Sequence, residues 1–156
     1  SSLKLAVILL LAFIVGVGGY FIYQGQSPAS PDAAKPLQFS SEANCFLQGH
    51  SCTASTEQAQ ITLTLTPHPV PLMQPVQATI KISGLNALNA IELRIEGVNM
   101  YMGFQNVQLV KQSNTDWQGN FSLPICSEAE MQWLVTVALS SPQQNYQARF
   151  NLVTQH

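Results

Sequence analysis

Gln60-Ile61-Thr62-Leu63-Thr64-Leu65-Thr66 alternates apolar and polar side chains without a break. Successive residues of an extended chain point to opposite faces, so Ile61, Leu63 and Leu65 face one way and the threonines the other. The stretch therefore reads as a half-buried antiparallel strand. The same period recurs further along. Val76, Ala78, Ile80 and Ile82 alternate over 76–82, and Ile91, Leu93 and Ile95 form the next set. Residues 106–110, 120–123, 132–139 and 146–153 complete seven candidate strands. Pro67, Pro69, Pro71 and Pro75 forbid regular structure between the first two. Turn signals separate the others: residues 84–89, Gly97-Val98-Asn99, Asp116-Trp117-Gln118-Gly119 and Ser140-Ser141-Pro142. Short alternating strands at this density predict an all-β domain, an immunoglobulin-like β-sandwich of about seven strands.

The sequence ahead of this domain has a different character. Leu5 to Tyr23 is a run of nineteen residues without a charge. As a helix it would cover roughly 28 Å, close to the hydrocarbon thickness of a bilayer. Residues 1–23 are thus expected to form a single transmembrane anchor. Lys4 is the only charge before the run, and Lys35 is the first basic residue after it. The positive-inside rule puts the N-terminus in the cytoplasm and the domain outside. Tyr20, Phe21 and Tyr23 sit where interfacial rings are favoured. A cleaved signal peptide would have a shorter apolar core with small residues just after it, and this run ends in bulky aromatics instead. Either arrangement exports the domain. The expectation is a bacterial inner-membrane protein, single-pass, with its C-terminal domain in the periplasm. Residues 24–38, rich in Pro, Ser and Ala, read as a flexible tether, leaving 39–156 for the sandwich.

Composition narrows the function. Net charge is −2, with only six Lys and Arg residues, too few for the basic patch that nucleic acid requires. The chain contains no Gly-x-Ser-x-Gly, no His-Glu-x-x-His and no phosphate loop. Glu92, Glu96, Glu128 and Glu130 are scattered over strand edges and loops. The expectation is a protein that is not an enzyme. Asn120-Phe121-Ser122 matches a glycosylation sequon and is a chance match in a bacterial protein.

The sulfur residues are more informative. An oxidising compartment would pair two of the three cysteines Cys45, Cys52 and Cys126 and leave one. Cys45 and Cys52 flank a short Gly-containing loop, Phe46 through Ser51, that closes easily. The leading reading is a disulfide between them. A redox or metal dithiol with His50 between the thiols is an alternative, although six intervening residues match no common zinc or thioredoxin spacing. In a third reading Cys126 pairs with one of the two. An exported free Cys126 would be a candidate soft metal ligand. Met73 lies in the proline loop. Met100 and Met102 are two apart, so on an extended backbone their thioethers share a face. Met131 follows at the opening of a late strand. Thioethers and thiolates prefer Cu(I) over harder divalent metals. Methionines paired on a strand face are also routine core filler, as is a strand tryptophan such as Trp133. His50 and His68 are further donors, though a histidine in a proline-rich loop is ordinarily solvated.

Three elements between residues 76 and 139 and their approach resemble the YtkA-like and FixH-like family of exported, often membrane-anchored β-sandwich domains. The first is the Pro-rich entry Pro71-Leu72-Met73-Gln74-Pro75 into an alternating strand. The second is Met100-Tyr101-Met102-Gly103. The third is Trp117 to Pro124 running on to Met131-Gln132-Trp133. Members of that family are implicated in copper handling and in assembly of haem–copper respiratory oxidases. The resemblance implies Met100, Met102 and Met131 as copper ligands, with Cys126 as a fourth or alternative ligand. It also implies an oxidase subunit or copper chaperone as partner. The chain departs from the family where relatives often carry a His after the Met-Gly element, because Phe104-Gln105-Asn106-Val107 follows here. Three functions therefore stand at this stage. One is Cu(I) binding for oxidase metallation, the second a metal-free interaction module of a membrane complex, and the third a thiol-redox accessory using Cys45 and Cys52.

Overall fold

The alternating stretches form strands, except that the one expected over 106–110 breaks at Leu109 into segments of different sheets, and the computed structural model, which describes Lys4, Val7, Tyr20 and residues 35–155, arranges them as two facing sheets. The strands in chain order are β1 (Leu37–Gln38), β2 (Ser40–Ser41), β3 (Cys52–Ser55), β4 (Gln60–Thr66), β5 (Pro75–Ser83) and β6 (Ala90–Gly97). They continue as β7 (Phe104–Gln108), β8 (Val110–Lys111), β9 (Asp116–Ser122), β10 (Glu130–Ser140) and β11 (Asn145–Gln155). One sheet has the order β1-β11-β10-β6-β7 and the other β2-β3-β4-β5-β9-β8. The fold is an all-β sandwich. It has eleven strands rather than about seven, because β1, β2, β3 and β8 are too short to show a period.

Burial follows the alternation. Ile61, Leu63 and Leu65 of β4 and Val76, Ala78, Ile80 and Ile82 of β5 point inward from one sheet. Ile91, Leu93 and Ile95 of β6, Val135, Val137 and Leu139 of β10, and Phe150 and Leu152 of β11 meet them from the other. The core is thus a single apolar layer between the sheets. Truncating one of its fully buried residues, such as Leu63, would cost about 2–5 kcal/mol.

Two expected boundaries shift. Asp116 to Gly119 is not a turn but the start of β9, and Trp117 enters the core. The turn lies one step earlier, where Ser113 Oγ accepts from the backbone N–H of Thr115 at 3.2 Å and of Asp116 at 3.1 Å. Ser113 and Thr115 hydroxyls donate to the Asp116 carboxylate at 2.6 and 3.0 Å, and these bonds hold its pKa below the ordinary carboxylate value. The domain also begins before residue 39. Leu37 and Gln38 pair in parallel with Tyr146 and Gln147 of β11. The reason is Phe39, which must be buried; its amide donates to Gln147 O at 2.8 Å and its ring lies 5.9 Å from that of Tyr146.

The chain divides into two compact units, Ser1–Ala33 and Ala34–His156, and both sheets lie in the second. The expected anchor over residues 1–23 falls, Lys4, Val7 and Tyr20 apart, outside the described residues, as do residues 24–34 of the tether expected over 24–38. Among the described residues no helix is long and apolar enough to cross a membrane.

Candidate functional site: a thiol–thioether pair at one end of the sandwich

Strand directions bring most of the sulfur chemistry to one end of the sandwich. The β4–β5, β6–β7 and β9–β10 connections (residues 67–74, 98–103 and 123–129) all emerge there. The β2–β3 loop joins them, since Cys52 pairs opposite Leu63 near the same end of β4.

The loop over 98–103 is held by a close backbone approach and a side-chain staple. Gly97 permits the approach: a Cβ at that position would lie 2.2 Å from Met100 O. Asn99 supplies the staple, its Nδ2 donating to Glu130 O at 2.9 Å and its Oδ1 accepting from Gln132 N at 3.0 Å. Val98 N adds a bond to Gln132 O at 2.8 Å. Gly103 closes the loop with φ of 80°.

This loop aims Met100 at the β9–β10 connection. The Cys126 thiol donates to Met100 Sδ at 3.0 Å, and the Ser127 hydroxyl reaches the same sulfur at 3.9 Å. Cys126 is 8% exposed and carries the free thiol among the described residues, because Cys45 and Cys52 are joined in a disulfide. Met100 is half-buried against the edge of the core.

The two other methionines are placed differently. The segment 98–103 is not a strand, so the shared-face argument for Met100 and Met102 does not apply. Met102 is 39% exposed and lines a small cavity of about 40 Å³ with Ile95, Phe104, Leu123 and Trp133 among its walls. Met131, 3% exposed, points inward as the second residue of β10, and its Cε would stand 3.0 Å from a Cβ on Gly97. Trp133 is buried beside it in the same strand and donates from Nε1 to Thr154 Oγ1 at 2.9 Å. Met73, 65% exposed, and His68, also exposed, lie in the proline loop. The sequence singled out Cys126 and Met100 but missed Ser127, Asn99 and Gly97. For Gly97 and Asn99 the turn signal was visible, but its partner strand was not.

The same end is unusually apolar on its outer side. Val98, Tyr101, Phe104 and Ile125 are exposed by half or more. The Arg94 guanidinium stacks 3.6 Å over the Phe104 ring and pairs with Glu96 at 3.2 Å. A cleft of about 540 Å³ runs between Pro69, Pro71, Ile125 and the end of β11, with no sulfur donor in its wall.

No protein-family model matches the chain, and no curated protein matches it. Its fold is similar to part of the crystal structure of a DUF4785 family protein from Legionella pneumophila. The TM-score is 0.50 at 11% sequence identity, over 65% of this chain. This chain spans 29% of the length of that protein. At that identity the similarity shows the fold, a β-sandwich, and nothing about activity.

Proposed function

We propose that this protein is a membrane-anchored periplasmic accessory protein that carries Cu(I) on an immunoglobulin-like scaffold, for assembly of a haem–copper respiratory oxidase. The observation that carries the reading is the 3.0 Å approach of Cys126 Sγ to Met100 Sδ at the loop end of the sandwich. A thiol and a thioether in contact form a soft donor set, which suits Cu(I) and binds harder cations more weakly. Cys126 loses its proton on binding, whereas Met100 needs none. Met102, partly exposed in the same loop, is the third donor in this reading, whereas Met131, a ligand by the resemblance, is buried beside Gly97. The resemblance of the Met100 to Gly103 and Trp117 to Trp133 stretches to the YtkA-like and FixH-like family supplies the acceptor.

The test is a Cu(I) titration of the full chain in detergent against a competing chromogenic chelator, under reducing conditions. The parent should bind Cu(I) tightly, and Cys126→Ser and the double variant Met100→Leu/Met102→Leu should each weaken binding at least about tenfold. Equal binding by parent and variants overturns the site.

A second reading has its own observation. Val98, Tyr101, Phe104 and Ile125 form an exposed apolar face on the same loops, as an interaction module without metal would present. Absence of Cu(I) binding, together with capture of an oxidase subunit from membranes that is lost on Tyr101→Ser, favours it.

A further inference from the structure

The β2–β3 loop holds a second cluster of metal-ligating atoms, independent of the Met100–Cys126 pair. Cys45 Sγ, Cys52 Sγ and a ring nitrogen of His50 all lie within 4.8 Å of one another. His50 Nε2 is 3.4 Å from Cys45 Sγ. The two cysteines are joined and nearly fully buried, whereas His50 is exposed. The sequence offered a metal dithiol with His50 only as an alternative, because six intervening residues match no common zinc spacing; the loop doubles back and brings the two Cα atoms to 5.7 Å.

The loop does not depend on the sulfur–sulfur bond for its position. Phe46 bridges to Asn151 of β11. Leu47 is fully buried and its amide donates to Asn151 O at 2.9 Å. Gln48 Oε1 accepts from Val153 N at 3.1 Å. Cys52 is itself part of β3, in register with Leu63. Opening the disulfide therefore leaves both sulfurs and the imidazole beside one another.

Two thiolates and an imidazole are the donors that thiophilic d10 cations take. We propose that the Cys45–Cys52 disulfide closes a redox-gated site for such a cation, with Cys45, Cys52 and His50 as its ligands in the reduced protein. A dithiol reductant supplies two electrons and two protons, which open the bond to two thiols while the reductant closes to its own disulfide. The cation then displaces both thiol protons to solvent and takes the lone pair of His50 Nε2. The exposed side of His50 leaves a fourth position for water. In the oxidised protein only the imidazole remains as a donor, so affinity is lost.

Zn(II) is the probe, because a thioether pair does not retain it and the Met100 site stays silent. The full chain carrying Cys126→Ser is titrated with Zn(II) against a chromogenic competitor, before and after reduction by a phosphine. One equivalent bound only after reduction, weakened more than about tenfold by His50→Ala, supports the site. A Co(II)-loaded sample should show thiolate-to-metal charge transfer under the same condition. Equal affinity in the two redox states, no binding after reduction, or an unchanged affinity in His50→Ala would overturn it. So would loss of the β-sheet circular dichroism on reduction. Because Cys126 and the methionines take no part, this result and the Cu(I) titration fail separately.

Discussion

At the scale of single residues, the site depends on side chains that carry no chemistry of their own. Gly97 is the clearest. The carbonyl of Met100 occupies the space in which a Cβ would stand, at 2.2 Å, and the Met131 Cε is only slightly farther at 3.0 Å. Backbone cannot yield as the end of a flexible side chain can, so Gly97→Ala forces the loop outward. We expect a loss of about 1–3 kcal/mol of stability in urea denaturation. Met100 moves with the loop, so a thiol reagent should modify Cys126 faster in the variant than in the parent. Trp133 shows the opposite division of labour. Its indole N–H is satisfied by Thr154 and its ring is buried, so it serves the core.

At the scale of elements, the strands visible in the sequence are those long enough to repeat their period; the exception is the expected strand over 106–110, which Leu109 divides between β7 and β8. β4 and β5 expose polar residues at every second position, and their inward residues are almost all fully buried. β3 spans four residues and β1, β2 and β8 two each, too few to distinguish alternation from chance. They exist because β11, β4 and β9 present unpaired edges that a short segment can cover. The 98–103 loop depends on an element in the same way, since Asn99 is anchored by two bonds to the backbone of β10. Asn99→Ala should cost about 1–2 kcal/mol. Amide exchange in residues 98–103 should accelerate while that of β10 and β11 remains at the parental rate, a pattern that hydrogen exchange resolves directly. Uniform acceleration would mean that Asn99 supports the sandwich as a whole.

At the scale of the whole molecule, two sulfur centres share one end of the sandwich but differ in what secures them. The disulfide closes a short loop, with a sequence separation of 7, and such a loop restricts the unfolded chain by only about 2–3 kcal/mol. Domains of this size are stable by about 5–15 kcal/mol. Reduction should therefore lower the thermal midpoint by several degrees and leave the sheet intact, as measured by circular dichroism with and without a phosphine. Unfolding on reduction would show that the loop contacts of Leu47 and Gln48 are insufficient. The sequence by itself determined the strands, because alternation is a local property set by the pleat and the need to bury one face. It also determined which cysteines pair most easily, because a short loop closes at little entropic cost. What only the tertiary structure decided is which donors meet. Cys126 and Met100 are 26 residues apart and touch only because β6 and β9 end at the same pole of the sandwich. Met100 and Met102, two apart, looked like a pair on the assumption of extended backbone, yet the bond from Val98 to β10 and the close approach at Gly97 make that segment a loop. Distances between side chains on different strands follow from sheet order and loop path, and neither is written in the period of any one strand.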